Sequence, residues 1–147
     1  MSKSDRLRRL CEIRIAEEQN QAFLLESAKS KLRQVEERLV DSRFRRTAGR
    51  SLHQSGALSG ELRDRLAGLE EIACSSRLEN ALADQQHVIQ EHIQTIQERY
   101  LNKRRERRQA ETLLRNELQL ETEKAHRRSQ ASLDEWHRIR HSGSPKE

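Results

Sequence analysis

The sequence predicts an all-α protein: a long antiparallel two-helix coiled-coil hairpin with a longer second helix. Three observations predict it. Charged residues make up 36% of the chain and aromatic residues 3%, too polar and too poor in bulky side chains for an ordinary globular core. The chain has one proline and five glycines, and with apolar residues recurring at helical spacing this argues for helix over disorder. Those apolar positions lie three and four residues apart on both sides of one glycine- and serine-rich stretch, as two facing seams require.

A single domain, 1–147, follows. A thin two-helix seam buries less apolar surface than a compact core, so stability should be modest and should rise on binding.

Helix 1 is expected over about 4–48, with Asp5 in its first turn. Its best seam is Leu25, Ala28, Leu32, Val35 and Leu39, spaced 3-4-3-4. Extended backwards, the register lands on Gln21, Glu18, Arg14, Cys11 and Leu7, so the seam becomes polar toward the N-terminus. Leu10, Ile13 and Phe23–Leu24 sit off it, which a stutter or a second face would explain.

Residues 49–60, GRSLHQSGALSG, hold three glycines and three serines and predict a turn region. Helix 2 is expected over about 61–140. Ser59 could cap a brief piece, Glu61 to Ala73, and Ser76 with Glu79 could form a capping box that opens the long helix. One unbroken helix from Ser59 is the alternative, and a kink would sit between Gly68 and Ser75–Ser76. The seam reads Leu78, Leu82, Ile89, Ile93, Ile96 and Tyr100. A polar run, 102–109, follows, and apolar positions return at Leu113, Leu114, Leu118, Leu120, Ala125, Leu133, Trp136 and Ile139. The tail, 142–147, carries a Gly and a Pro and is expected to be disordered.

Charge selects the antiparallel pairing. Residues 1–50 hold thirteen Lys/Arg against eight Asp/Glu, residues 51–98 three against eight, and residues 99–147 thirteen against eight. A hairpin sets the acidic start of helix 2 beside the basic end of helix 1, whereas a parallel dimer stacks like charges. With the turn centred near residue 55, position i faces roughly position 110 − i. That register leaves Cys11 and Cys74 about 39 Å apart along the helices, beyond disulfide reach. It also gathers Arg6, Arg8 and Arg9 beside Lys103, Arg104, Arg105, Arg107 and Arg108, a cluster of like charge that calls for an acidic partner. Helix 1 is used up near residue 105, and the rest of helix 2 overhangs.

The motifs exclude most chemistry. There is no phosphate loop, nucleophile elbow or CxxC, and no cofactor, metal or small-molecule substrate is expected. Glu123 and His126 form one ExxH, where a di-metal bundle needs two on four helices. His137 and His141 share a face at i, i+4 but read as solvated histidines. The basic run could attract phosphates, yet aromatics are too sparse for base stacking, and nucleic acid is disfavoured as a partner. No apolar run reaches membrane-spanning length, and Met1–Asp5 lacks the apolar core of a signal peptide. A cytoplasmic protein without membrane insertion is expected. Trp136, with Leu133 and Ile139 around it, reads equally as an interface anchor or as packing onto a folded-back N-terminus.

Two local stretches carry a family resemblance. The run Tyr100-Leu-Asn-Lys-Arg-Arg-Glu-Arg-Arg-Gln-Ala110 and the later Leu133-Asp-Glu-Trp136 resemble an aromatic-then-charged run and a hydrophobic-Asp-Glu-aromatic element. Both belong to the stalk proteins of bacterial type III export, flagellar FliJ-type and injectisome YscO-type. Length, hairpin plan and turn position are similar over nearly the whole chain. The resemblance implies a non-enzymatic axle, peripheral to the inner-membrane export apparatus. Its open, terminal end would enter the hexameric export ATPase, with Arg6, Arg8, Arg9, Lys103, Arg104, Arg105, Arg107, Arg108, Leu133 and Trp136 as contacts. The turn-proximal part would meet the cytoplasmic domain of the export gate through Phe44, Leu78 and Leu82, and some family members bind export chaperones. The aromatics common on the turn-proximal face of flagellar members are reduced here to Phe44. A general coiled-coil adaptor and, behind it, a basic nucleic-acid-binding coiled coil are the other readings.

Overall fold

The computed structural model describes residues 1–143. The molecule is a helical hairpin of two helices, α1 (Lys3–Ser59) and α2 (Leu62–Ser142), 57 and 81 residues long. Among the described residues, neither helix is long and apolar enough to cross a membrane. The expected disordered tail lies, beyond Gly143, outside the described residues.

Ser2 caps α1 through a reciprocal pair. The Asp5 N–H donates to Ser2 Oγ at 3.2 Å, and the Ser2 N–H donates back to Asp5 Oδ2 at 3.2 Å. This is a capping box with Asp in the place of the usual Glu. The Ser2 hydroxyl also donates to Asp5 Oδ2 at 2.6 Å. Hydrogen bonds from the Ser2 side chain and then its backbone hold the Asp5 carboxyl below the usual carboxylate range.

The glycine-rich stretch is helix, not loop. α1 runs through 49–59 without interruption, and the reversal is confined to Gly60 and Glu61. Gly60 has φ +76°, the left-handed conformation that ends helices and that glycine adopts without steric cost. Three other glycines are there for a different reason. A Cβ on Gly68 would lie 2.6 Å from the His53 backbone N and 2.7 Å from the Gly49 carbonyl oxygen. A Cβ on Gly56 would lie 2.7 Å from the Arg65 backbone N. The arms touch backbone to backbone here, so missing side chains, rather than helix breaking, account for these residues.

α2 is likewise unbroken from Leu62, which corrects both the brief leading helix and the capping box at Ser76. Ser59 ends α1 instead of opening a helix. Ser76 sits within a helix, and Glu79 reaches across to Arg46 Nη1 at 2.6 Å and Arg43 Nε at 3.4 Å.

The chain divides into two compact units, one of residues 19–101 and one of residues 1–18 with 102 onward. In the first, the expected seam holds: Ala28, Val35 and Leu39 are buried and Leu25 and Leu32 half-buried. The same 3-4 spacing continues through Ser42, Arg46, Gly49, His53 and Gly56, without a stutter. Val35, Leu39 and Leu82 form a buried cluster against which Ile89 packs. Ser42 Oγ donates to the Ser75 carbonyl oxygen at 2.9 Å. On α2 the seam is Gly68, Ser75, Glu79, Leu82, Ile89, Ile93, Ile96 and Tyr100, buried or half-buried. Leu78 lies off it, exposed.

Candidate interaction surfaces

The pairing register sets which charges meet. Arg14 pairs with Glu106, and Arg46 with Glu79, so position i faces roughly position 120 − i, about ten positions later than a turn at residue 55 would give. Three consequences follow in the unit of residues 1–18 and 102 onward.

First, the expected cluster of eight cations does not form. Lys103 Nζ lies 3.5 Å from Glu17 and 3.3 Å from Glu106. Arg107 Nε bonds Glu18, and its Nη1 reaches Glu111 at 3.0 Å. Arg14 Nη1 bridges Glu17 at 3.0 Å and Glu106 at 2.9 Å, and Lys3 meets Glu117 at 3.1 Å. The Glu17 carboxyl is held below the ordinary glutamate range, first by the Arg14 hydrogen bond and then by the Lys103 charge. The bond to Glu18, and then that to Glu111, raise the Arg107 guanidinium above its usual range. Two of the expected contact residues, Lys103 and Arg107, are thus committed within the chain. Arg6, Arg8, Arg9, Arg105 and Arg108 are exposed and Arg104 half-buried, with no ion pair to any of them among the described residues. The carboxylates that absorb the cations are the residues sequence reasoning missed. Carrying the α2 seam past Tyr100 at 3-4 spacing lands on Lys103, Arg107 and Ala110, opposite Glu17, Glu18 and Cys11, and that signal would have found them.

Second, Cys11 sits in the seam opposite Ala110, and both are buried. Burial, then the charges of Glu111 and Glu12, push its thiol up, which makes it a packing residue and a poor nucleophile. Cys74 is exposed, and both thiols are free.

Third, α1 is used up near Glu117, not near residue 105. From residue 122 every described residue is exposed. This overhang is shorter and less basic than expected, with five Lys/Arg and four Asp/Glu from 118 to 143. Leu133, Trp136 and Ile139 are 59%, 53% and 65% exposed. Trp136 meets no part of the N-terminus. Its neighbours are Arg140, whose Cζ lies 5.0 Å from the ring centroid, and the edge of His137 at 5.3 Å. Glu123, His126, His137 and His141 are exposed on this segment, and no group of three or more potential metal ligands exists among the described residues.

In the unit of residues 19–101, the three expected gate contacts separate. Phe44 is 76% exposed and Leu78 45% exposed, but Leu82 is 3% exposed. Leu82 belongs to the buried cluster with Val35 and Leu39, so its side chain is spent on holding the arms together.

Comparison with protein-family models, with curated proteins and with solved structures found no match.

Proposed function

We propose that this hairpin is a non-catalytic stalk of a bacterial type III protein export apparatus, cytoplasmic and peripheral to the inner membrane. Its open, terminal end enters the hexameric export ATPase, promotes ring assembly and hydrolysis, and couples the cycle to the cytoplasmic domain of the export gate. Export chaperones are further partners on this reading. The supporting observation is the overhang: α2 outruns its partner helix and carries Leu133, Trp136 and Ile139 exposed, with no cover among the described residues. An exposed Trp among aliphatics is the composition of an interface anchor. The cations available for an acidic ATPase surface are Arg6, Arg8, Arg9, Arg104, Arg105 and Arg108, and the gate-facing residues reduce to Phe44 and Leu78.

The test is hydrolysis by the cognate export ATPase with and without the chain. Stimulation by the native chain that falls with Trp136→Ala, and falls further with Arg6, Arg8 and Arg9 replaced by Ala, is the expected result. Absence of both stimulation and co-elution sinks the proposal. One observation favours a second reading, a general coiled-coil adaptor: Glu17 and Glu18 already neutralise part of the basic run, which weakens the demand for an acidic partner. Equilibrium sedimentation separates the two, because an adaptor that works as a stable dimer of hairpins would not sediment as a monomer.

A further inference from the structure

Different chemistry holds the two units shut. In residues 19–101 the seam is mainly apolar or backbone-close, through Val35, Leu39 and Leu82 and the Gly49–Gly68 approach, with one ionic point where Glu79 meets Arg43 and Arg46. In the other unit the buried apolar side chains among the described residues are only Cys11 and Ala110, both small. Toward the terminal end buried Ser4 and half-buried Leu7 and Leu114 complete the seam. Between Cys11 and the other unit it is ionic: Arg14, Glu17 and Glu18 on one arm face Lys103, Glu106 and Arg107 on the other. Their side chains are partly open to solvent, 31% for both Arg14 and Lys103 and 34% for Glu17.

We propose that this ionic seam is a salt-responsive clasp. The arms 3–18 and 102–117 part by exchanging the Arg14–Glu106, Lys103–Glu17, Arg107–Glu18 and Lys3–Glu117 contacts for solvent or for a charged partner, while the arms of residues 19–101 stay paired. Dissolved salt screens partly exposed ion pairs, with a Debye length that falls from about 10 Å at 0.1 M to about 3 Å at 1 M. It does not loosen apolar contacts, which depend on exclusion of water. Raising ionic strength therefore acts mainly on the unit whose seam is ionic, and weakens the other only at the single Glu79 site, where apolar contacts on either side keep the arms together. Because six ionic side chains interlock across a few turns, loss of one pair leaves its neighbours with unmatched partners, and opening should be cooperative over the arm. The clasp stands whether or not the hairpin serves an export ATPase.

The chain carries its own reporters: Cys11, buried inside the clasp, and Cys74, exposed in the other unit. The native chain is treated with the uncharged reagent N-ethylmaleimide at fixed pH, and the two cysteines are quantified as separate peptides by mass spectrometry. Between about 50 mM and about 500 mM NaCl, the Cys11 rate relative to Cys74 should rise on the order of threefold to tenfold. Amide hydrogen exchange on the same samples, which is independent of thiol acidity, should quicken in 3–18 and 102–117 and stay unchanged around Val35 and Leu82. Glu18→Gln should quicken Cys11 labelling at low salt and flatten its salt dependence. A Cys11 rate and an exchange pattern both indifferent to salt overturn the clasp. So does exchange that quickens equally in both units.

Discussion

Ser42 and Ser75 face each other across the seam with unequal satisfaction. The Ser42 hydroxyl donates to the Ser75 carbonyl oxygen at 2.9 Å, whereas Ser75 Oγ is buried with no hydrogen-bond partner. The same substitution should therefore have opposite effects at the two positions. Ser42→Ala removes a made bond and should cost about 1 kcal/mol, while Ser75→Ala removes an unsatisfied hydroxyl and should be neutral or stabilising by up to about 1 kcal/mol. Thermal unfolding followed by circular dichroism checks the pair, and equal losses at both positions would contradict it.

Gly68 is set against the His53 backbone so closely that a Cβ would lie 2.6 Å from its N. Alanine is the better helix former by about 1 kcal/mol, so an isolated helix would gain from Gly68→Ala. Here the arms must part to admit the methyl, and overpacking of about 1–3 kcal/mol should outweigh that gain. Denaturant midpoints should show a net loss, with Gly143→Ala, whose Cβ would sit 3.4 Å from Ile139 O, as the tolerated comparison.

Gly60 should also resist substitution, for the opposite reason. Its surroundings are empty within 4 Å, but its φ of +76° is strained for a side chain. Gly60→Ala should cost about 1–2 kcal/mol. Gly60→Asn should cost less, because Asn tolerates this conformation better. If Ala and Asn behave alike in melting experiments, the left-handed turn does not control stability.

Leu82 and Leu78 lie four residues apart, one inside the seam and one on the surface. Leu82→Ala should cost about 2–4 kcal/mol through the cavity it leaves against Val35 and Leu39. Leu78→Ala should shift stability by no more than about 0.5 kcal/mol. Interchange of these effects would show that the register is misassigned.

Acid should loosen the ionic unit first. Folding lowers the Glu17 carboxyl value, chiefly through Arg14, so folding favours the deprotonated form. Its contribution is present in full above the ordinary glutamate value, about 4.3, and is lost as pH falls through the lower folded value. Amide protection in 3–18, taken relative to the intrinsic exchange rate at each pH, should fall across that window, and Glu17→Gln should flatten the response.

The seam from Leu25 to Leu39 was legible because its register is local: five apolar residues at 3-4 spacing place themselves on one face. The end of helix 1 was not, because Gly49 and Gly56 look the same in sequence whether they break a helix or admit a neighbour. Only the facing arm, with Gly68 and Arg65 against them, distinguishes the two. That one misreading moved the turn from residue 55 to Gly60 and shifted every cross-chain pair by about ten positions. The shift replaced an expected crowd of cations with Glu17 and Glu18 opposite Lys103 and Arg107, and it shortened the unpaired segment. The exposure of Trp136 turned on whether the N-terminus folds back over it, which no residue near Trp136 specifies.

The 3-4 register that runs through Leu25 to Gly56 and Gly68 to Tyr100 also makes the hairpin a ruler graduated in sevens. Removing a heptad from one arm alone would slide every contact on the far side of the cut onto a wrong partner. Removing one heptad from each arm, at facing positions, would return each surviving residue to its own counterpart. A chain of this kind can thus change length only by paired edits, so its reach is set jointly by two distant stretches of sequence.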